Sequence, residues 1–180
     1  TVTLTVSASS IAENSGSTLT LSATLSGTTY ETVTVDIGTS TNSALDGNDY
    51  GDGSSGFLYD DDITISAGST TGTVTFDPHD DSVYEGDETA TVTIEGVSGG
   101  GASENSSQSV TITITENESV PTIALTVSAT SIAENAGSGL TLTATASGTL
   151  DQTCGVALST SGSATDGTDY ANGKSGAEYG

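Results

Sequence analysis

Basic residues are almost absent from this sequence. One lysine stands against 24 aspartates and glutamates, which gives a formal net charge of −23. A surface of that charge repels nucleic acid and anionic membranes and attracts cations. No apolar run is long enough to span a bilayer. We therefore expect no nucleic-acid partner and no membrane insertion.

Cysteine, histidine and tryptophan are scarce or missing as well. Cys154 is the only cysteine, so the chain cannot form an intrachain disulfide. His79 is the only histidine, and no Ser-His-Asp or Cys-His set can be assembled around it. Without tryptophan and with few other aromatic residues, the chain has no evident platform for a sugar substrate. We expect a protein that is not an enzyme.

Apolar residues alternate with threonine and serine along most of the chain. This period of two is typical of strands that bury one face, and threonine suits them because its branched Cβ fits a pleated surface. Seven such runs occur at Val2–Val6, Leu19–Leu25, Val33–Ile37, Ile63–Ile65, Val74–Phe76, Val92–Ile94 and Val110–Ile114. Clusters of Gly, Ser, Asn and Asp separate the runs. The pattern predicts an all-β fold, an antiparallel immunoglobulin-like β-sandwich.

An internal repeat organises the chain. Leu4–Gly27 returns as Leu125–Gly148 at an offset of 121 residues, and Ala44–Tyr50 returns as Ala164–Tyr170. A period of that length corresponds to a whole domain rather than to a solenoid repeat. We predict a complete sandwich over residues 1–118, a short linker over 119–121 and the N-terminal half of a second sandwich over 122–180.

The half repeat carries expectations of its own. Its strands are predicted at Ile123–Val127, Leu140–Ala144 and Cys154–Leu158, and Cys154 takes the place of Val33 as a small core residue. Half a sandwich exposes an apolar face and open strand edges. Two explanations stay open. The chain is a slice of a longer array, as the missing initiator Met and signal peptide indicate, or a neighbouring chain completes the half by β-strand addition and builds a filament.

Acidic residues of the first repeat fall into four groups, each in a loop or at a strand end. They are Glu13; Asp46 and Asp49; Asp80, Asp81, Glu85 and Glu88; and Glu116 and Glu118 on either side of Asn117. The loops of a sandwich gather at its two ends, so four groups at one end make a dense cage of oxygens. Calcium takes about six to eight oxygens in irregular geometry, and carboxylates without His or Cys suit such a hard cation. The pattern predicts calcium binding.

Four motifs together resemble the Calx-beta domain. They are Glu-Asn-Ser-Gly from Glu13, the Ala44–Tyr50 loop, Asp-Asp-Ser-Val-Tyr-Glu-Gly-Asp-Glu from Asp80, and the closing Glu-Asn-Glu from Glu116. The resemblance covers the first repeat and the front of the second. It implies a calcium site for more than one ion per complete domain, with the ligands Glu13, Asp49, Asp80, Asp81, Glu85, Glu88, Glu116, Asn117 and Glu118. The sequence departs from the family pattern at two places. Ser82 stands where a third Asp often occurs, and the closing motif is Glu-Asn-Glu rather than three Asp.

The resemblance implies a structural role at the cell surface or outside the cell. A stalk, adhesin or filament built from such repeats needs stiff joints, and calcium beside the linker would supply one. Its partners are then adjacent repeats or copies of itself. A recognition domain for a carbohydrate or protein ligand on a host or surface is the alternative, and a unique aromatic-lined surface would mark it. A calcium sensor of the exchanger type needs an attached membrane region.

Overall fold

A computed structural model describes residues 1–40, 43–53 and 62–170 of the chain. The chain divides into two compact units, Thr1–Asn117 and Glu118–Gly180. Within the described residues, no helix has the length and apolar character needed to cross a membrane.

The first unit contains the seven predicted strands and three shorter ones within its described residues. In chain order they are β1 (Val2–Val6), β2 (Ser10–Ala12), a 3₁₀ turn at Glu13–Ser15, β3 (Leu19–Leu25), β4 (Val33–Ser40), β5 (Tyr50–Gly51), β6 (Asp62–Ile65), β7 (Thr71–Pro78), β8 (Val83–Tyr84), β9 (Glu88–Ser98) and β10 (Ser109–Thr115). The additional strands β2, β5 and β8 have two or three residues each, too few for a period of two to show in the sequence.

Two sheets form the sandwich of the first unit. One has the order β1-β3-β7-β5 and the other the order β2-β10-β9-β4-β6. Their strand pairs are antiparallel apart from β2 and β10, which run parallel with Ile11 beside Ile114. The predicted all-β immunoglobulin-like sandwich is confirmed.

The core lies between the two sheets because alternate residues of each strand point inward. On β4, Val33, Val35 and Ile37 are buried, whereas Thr34 and Asp36 between them are more exposed. The inward residues of β1, β3, β6, β7, β9 and β10 belong to the same cluster. Each fully buried side chain of this kind contributes about 1.5–3 kcal/mol relative to the exposed state.

The second unit contains a β-hairpin made of β11 (Ile123–Val127) and β12 (Leu142–Ala146), followed by the two-residue strand β13 (Thr149–Leu150). The predicted strand at Ile123–Val127 is confirmed, and the strand predicted at Leu140–Ala144 lies two residues later. The strand predicted at Cys154–Leu158 is wrong, because that segment has no regular structure. Its counterpart β4 is held in a sheet by β6 and β9, and the described part of the second unit has no equivalent of either strand.

The expectation that Cys154 is a core residue is also wrong, because its side chain is exposed. Burial depends on the elements that cover a residue, and Val33 is fully buried under a complete pair of sheets. Cys154 instead borders an open cavity of about 400 Å³ together with Ile123, Ala146 and Val156.

Gly72 of β7 lies against the backbone of β6. A Cβ at this position would collide with the backbone oxygen of Thr64 and lie 3.0 Å from Cγ2 of Ile63. We expect Gly72→Ala to lower the free energy of unfolding by about 1–3 kcal/mol, as overpacking does. Gly27→Ala is the matched control, since a Cβ there meets nothing within 4 Å. Urea unfolding of both variants measures the effect, and equal midpoints would contradict the close packing of β6 and β7.

Candidate metal centre

The parallel pairing of β2 with β10 fixes the position of Glu13. Thr115 of β10 lies beside Ala12 of β2, and the 3₁₀ turn begins at the next residue, Glu13. Gly16 closes this turn with a φ of 59°, a conformation that favours glycine. The Glu13 carboxylate is thereby held next to the end of β10, where Glu116 follows.

Asp49 is positioned by a loop that folds on itself. Its N–H donates to the Leu45 carbonyl at 2.9 Å, and its Oδ2 accepts the Leu45 N–H at 2.6 Å. Gly47, with a φ of 85°, allows the tight turn between them. One carboxylate oxygen of Asp49 therefore holds the loop closed, and the carboxylate also forms a hydrogen bond with the side chain of Glu88.

Tyr50 anchors this loop in the core. Its ring is almost fully buried and stacks on Phe76 with the centroids 4.7 Å apart. His79 ties the outer side of the loop, because its N–H donates to the Asp49 carbonyl at 2.8 Å and its Nδ1 lies 2.8 Å from the Asn48 carbonyl oxygen. The Asp-Tyr pair thus couples an acidic ligand candidate to a core anchor, and His79 is a structural loop residue.

Glu116 joins the last strand to the acidic loop before β9. Its Oε2 accepts the N–H groups of Glu85 at 2.7 Å and Gly86 at 2.9 Å. In return, the Glu116 N–H donates to Oδ1 of Asp87 at 3.0 Å. Sequence reasoning missed this loop-clamping role and missed Asp87 altogether, since neither leaves a signal beyond the presence of a carboxylate.

Two groups of three carboxylates converge at this end of the sandwich. One is Glu13, Glu116 and Glu118, and the other is Asp49, Glu85 and Glu88; within each, one oxygen from every residue lies within 4.8 Å of the others. Calcium–oxygen distances are about 2.3–2.6 Å, so two ligands of one ion are at most about 5 Å apart. Both groups therefore fit a calcium ion, and their all-oxygen chemistry suits a hard cation.

Burial and, after it, the charges of neighbouring carboxylates raise the pKa of two acidic groups in the cluster. The pKa of Glu88 is raised to about 7, chiefly by burial. The charge of Asp49, a hydrogen bond to Asp49 and the charges of Glu85 and Glu13 add to this rise. Burial also raises the pKa of Glu13, and the charges of Glu116, Asp81 and Asp80 act in the same direction against a backbone hydrogen bond from Asp81. The acid groups of four separate chain segments are thus close enough to oppose one another's ionisation.

The remaining predicted ligands lie around these groups. The Asp81 N–H donates to Oε1 of Glu13 at 3.1 Å, while its own Oδ1 accepts the Val83 N–H at 2.6 Å. Asp81 also lines a small cavity of about 10 Å³ with Glu13, Asp49, Glu85 and Glu88. Asp80 and Asn117 are exposed beside the cluster, and the Asn117 N–H donates to Oε1 of Glu116 at 2.8 Å. The structure therefore brings all four predicted acidic segments together; their metal binding stays a prediction.

The second unit repeats the Asp-Tyr loop. The Thr165 N–H donates to Oδ2 of Asp169 at 2.8 Å, and the Asp169 N–H donates to the Thr165 carbonyl at 2.8 Å, as in the first loop. Among the described residues, Asp169 is not part of a converging acidic group. The loop geometry is therefore a local property of its sequence and does not depend on a complete cluster.

The family model of the Calx-beta domain matches residues 1–118 and again residues 116–177 of this sequence. The chain belongs to the Calx-beta domain family. The resemblance inferred from the four motifs is thereby confirmed. A comparison with curated protein sequences finds no match.

Solved structures similar to this Calx-beta protein include the calcium binding domain CBD12 of CALX1.1, at 18% identity and a TM-score of 0.48, and CBD12 from CALX1.2, at 17% and 0.49. Each alignment covers 63% of this chain but only 44% and 43% of those chains, so this protein spans less than half their length. A chaperone–tip adhesin complex of CFA/I fimbriae biogenesis aligns at 12% identity and a TM-score of 0.39, over 82% of this chain and 67% of that one.

The pKa of Glu88 predicts how pH acts on the protein in the absence of calcium. Because the pKa rises from 4.5 to about 7 on folding, the folded state holds the proton more tightly than the unfolded state. The contribution of Glu88 to the free energy of unfolding is therefore fully present below about pH 4.5, and it is lost as the pH rises through about 7. We expect the melting temperature in chelator to fall between pH 5 and pH 8, and to fall less in Glu88→Gln.

Asp36→Asn is the control for that experiment, because Asp36 lies on β4 outside both acidic groups. It should show the same pH dependence as the wild type. If the melting temperature changed equally with pH in the wild type and in Glu88→Gln, ionisation of Glu88 would not destabilise the fold in chelator.

Proposed function

We propose that this chain is a calcium-binding structural repeat of an extracellular or cell-surface protein and that it has no catalytic activity. The observation that carries the proposal is the convergence of two carboxylate triplets, Glu13, Glu116 and Glu118 with Asp49, Glu85 and Glu88, at one end of the sandwich. The ligands come from segments that precede β3, β5, β9 and the linker. A bound ion therefore connects parts of the chain that are far apart in sequence.

More than one calcium ion fits this arrangement. Each triplet supplies its own three carboxylate oxygens within 4.8 Å, and Asp80, Asp81 and Asn117 lie beside them as further oxygen donors. Glu13 and Glu88 are close enough for the charge of one to raise the pKa of the other. Two ions would share a compact site in which each offsets charge that the other leaves uncompensated.

Calcium would act here as a crosslink. The chain cannot form an intrachain disulfide, since Cys154 is its only cysteine. Glu116 holds the 85–86 backbone through hydrogen bonds, and the charges of the surrounding carboxylates repel one another. An ion at this point changes the repulsion into attraction and fastens the loops to the end of β10. Because Glu116–Glu118 immediately precede the linker at 119–121, the same ion stiffens the chain where it leaves the domain.

A structural role in a tandem repeat fits this chain better than a recognition role. Calcium sites of extracellular modules have dissociation constants of about 10⁻⁴–10⁻³ M. A cluster made mostly of carboxylates can bind calcium at least that tightly. The 24 residues Leu4–Gly27 and their copy Leu125–Gly148 differ at five positions, as expected for stalk repeats. A binding tip for a host carbohydrate or protein needs an aromatic-lined surface of its own. Among the aromatic residues that the structure describes, Tyr50 and Phe76 are buried and Tyr30 is fully exposed.

Calcium should stabilise the fold. Binding to the native state alone adds RT ln(1 + [L]/Kd), about 2.7 kcal/mol at a hundredfold excess over Kd. Melting followed with calcium, with chelator and after calcium is restored should show a reversible rise of the midpoint. The double variant Glu85→Gln, Glu88→Gln should lose most of that rise, because it neutralises two members of one triplet. A midpoint that does not respond to calcium would sink the proposal.

The repeated loop provides a matched pair of variants for the site itself. Asp49→Asn keeps an acceptor for the Leu45 N–H but removes a charged ligand, so we expect calcium affinity to fall about tenfold or more. Asp169→Asn makes the same change in the same loop geometry outside a converging acidic group, and its affinity should match the wild type. Isothermal titration calorimetry measures both. Equal affinities for all three proteins would place the site elsewhere.

A further inference from the structure

The pairing of β10 with β9 ends just before the acidic site. Ile114 opposite Glu88 is the last pair of this register, and β10 itself ends at Thr115. The N–H of the next residue, Glu116, therefore lies beyond the ladder and needs another acceptor. Oδ1 of Asp87 accepts this N–H at 3.0 Å, so a side chain takes the place that a backbone carbonyl holds in the ladder.

The side chain of Glu116 is held from the same loop. The N–H groups of Glu85 and Gly86 both donate to its Oε2, at 2.7 Å and 2.9 Å. Successive backbone N–H groups that converge on one anionic oxygen form a nest, and the φ of 84° at Gly86 lies in the region that favours glycine. Glu116 is thus gripped at its carboxylate by the nest and at its backbone by Asp87.

These three hydrogen bonds connect the two carboxylate triplets. Glu116 belongs to one triplet, whereas Glu85 and Glu88, which flank the 86–87 segment, belong to the other. A site whose ligands are already in place spends less free energy on ordering them when it binds. Asp87 therefore lies at a point where one hydrogen bond affects the position of ligand candidates in both triplets.

We propose that Asp87 is a positioning residue of the calcium site, which acts on Glu116 as a hydrogen-bond acceptor and is not itself a ligand of the ion. Among the described residues, Asp87 is a member of neither triplet, and its side chain is exposed. This inference rests on the proposed calcium binding of the first unit. Removal of a group that orients a metal ligand typically costs about 10–100-fold in metal affinity.

A role through geometry can be separated from a role through charge. If Asp87 were a ligand, or acted as a negative charge near the ion, Asp87→Asn would lose as much calcium affinity as Asp87→Ala. If Asp87 acts as an acceptor for the Glu116 N–H, asparagine can replace it, because its side-chain oxygen also accepts a hydrogen bond. Alanine removes both the charge and the acceptor.

The test measures the calcium affinity of the full 180-residue chain by isothermal titration calorimetry, well below the melting temperature of each variant. We expect Asp87→Ala to weaken binding about tenfold or more, and Asp87→Asn to recover most of that loss. Asp62→Ala is the control, because Asp62 is an exposed aspartate of β6 outside both triplets. It should bind calcium as the wild type does.

Hydrogen exchange in chelator tests the clamp without the ion. The Glu116 amide should exchange faster in Asp87→Ala than in the wild type, and Asp87→Asn should keep its protection. Unchanged exchange in Asp87→Ala, or equal losses of affinity in the alanine and asparagine variants, would overturn the proposal. A wild type that binds calcium no more tightly than Asp87→Ala would overturn this inference alone, whereas a wild type that binds no calcium would overturn the proposed function with it.

Discussion

Electrostatic repulsion among carboxylates is the constraint under which the first unit folds. Hydrophobic burial between two sheets holds the strands together, but the loops at one end bring acidic side chains from four segments within reach of one another. Burial is the largest cause of the raised pKa values of Glu13 and Glu88, and the charges of neighbouring carboxylates add to it. A divalent cation at this point would offset both effects, because it favours the ionised carboxylates.

The rest of the site is arranged to maintain this crowding. Tyr50 holds Asp49 in place through the core, the parallel strand β2 delivers Glu13, and Glu116 clamps the 85–86 backbone. Each of these supports is a packing contact or a hydrogen bond to a backbone group of the protein itself. The ligand candidates are therefore preorganised by the scaffold, which reduces the ordering cost of binding an ion.

The longer strands and the acidic segments of the site could be predicted from the sequence. Alternation identified the seven longer strands because each has an inward series such as Val33, Val35 and Ile37, and the acidic motifs identified the segments that meet at the site. The parallel strand β2 escaped prediction because its three residues depend on a partner about a hundred positions away. Cys154 was assigned to the core from its place in the repeat, yet burial is decided by the strands that cover a residue. The roles of Glu116 and Asp87 as acceptors for backbone N–H groups follow from loop geometry that residue types alone do not specify.

The hairpins β1–β3 and β11–β12 have the same register, which has a consequence for folding order. The β11–β12 hairpin forms in the described part of the second unit without a covering sheet, and residues 128–141 join its two strands, whereas the contact between Ile11 and Thr115 closes a separation of 104 residues. Loop-closure entropy therefore favours the hairpin as an early element and the parallel β2–β10 pair as a late one. In a tandem array, many nearly equal hairpins would then wait at once for their covering strands, a situation that invites misassembly between repeats. Leu25 and Ala146 hold the same place in the two hairpins, so the hairpin faces differ in side-chain volume at that position.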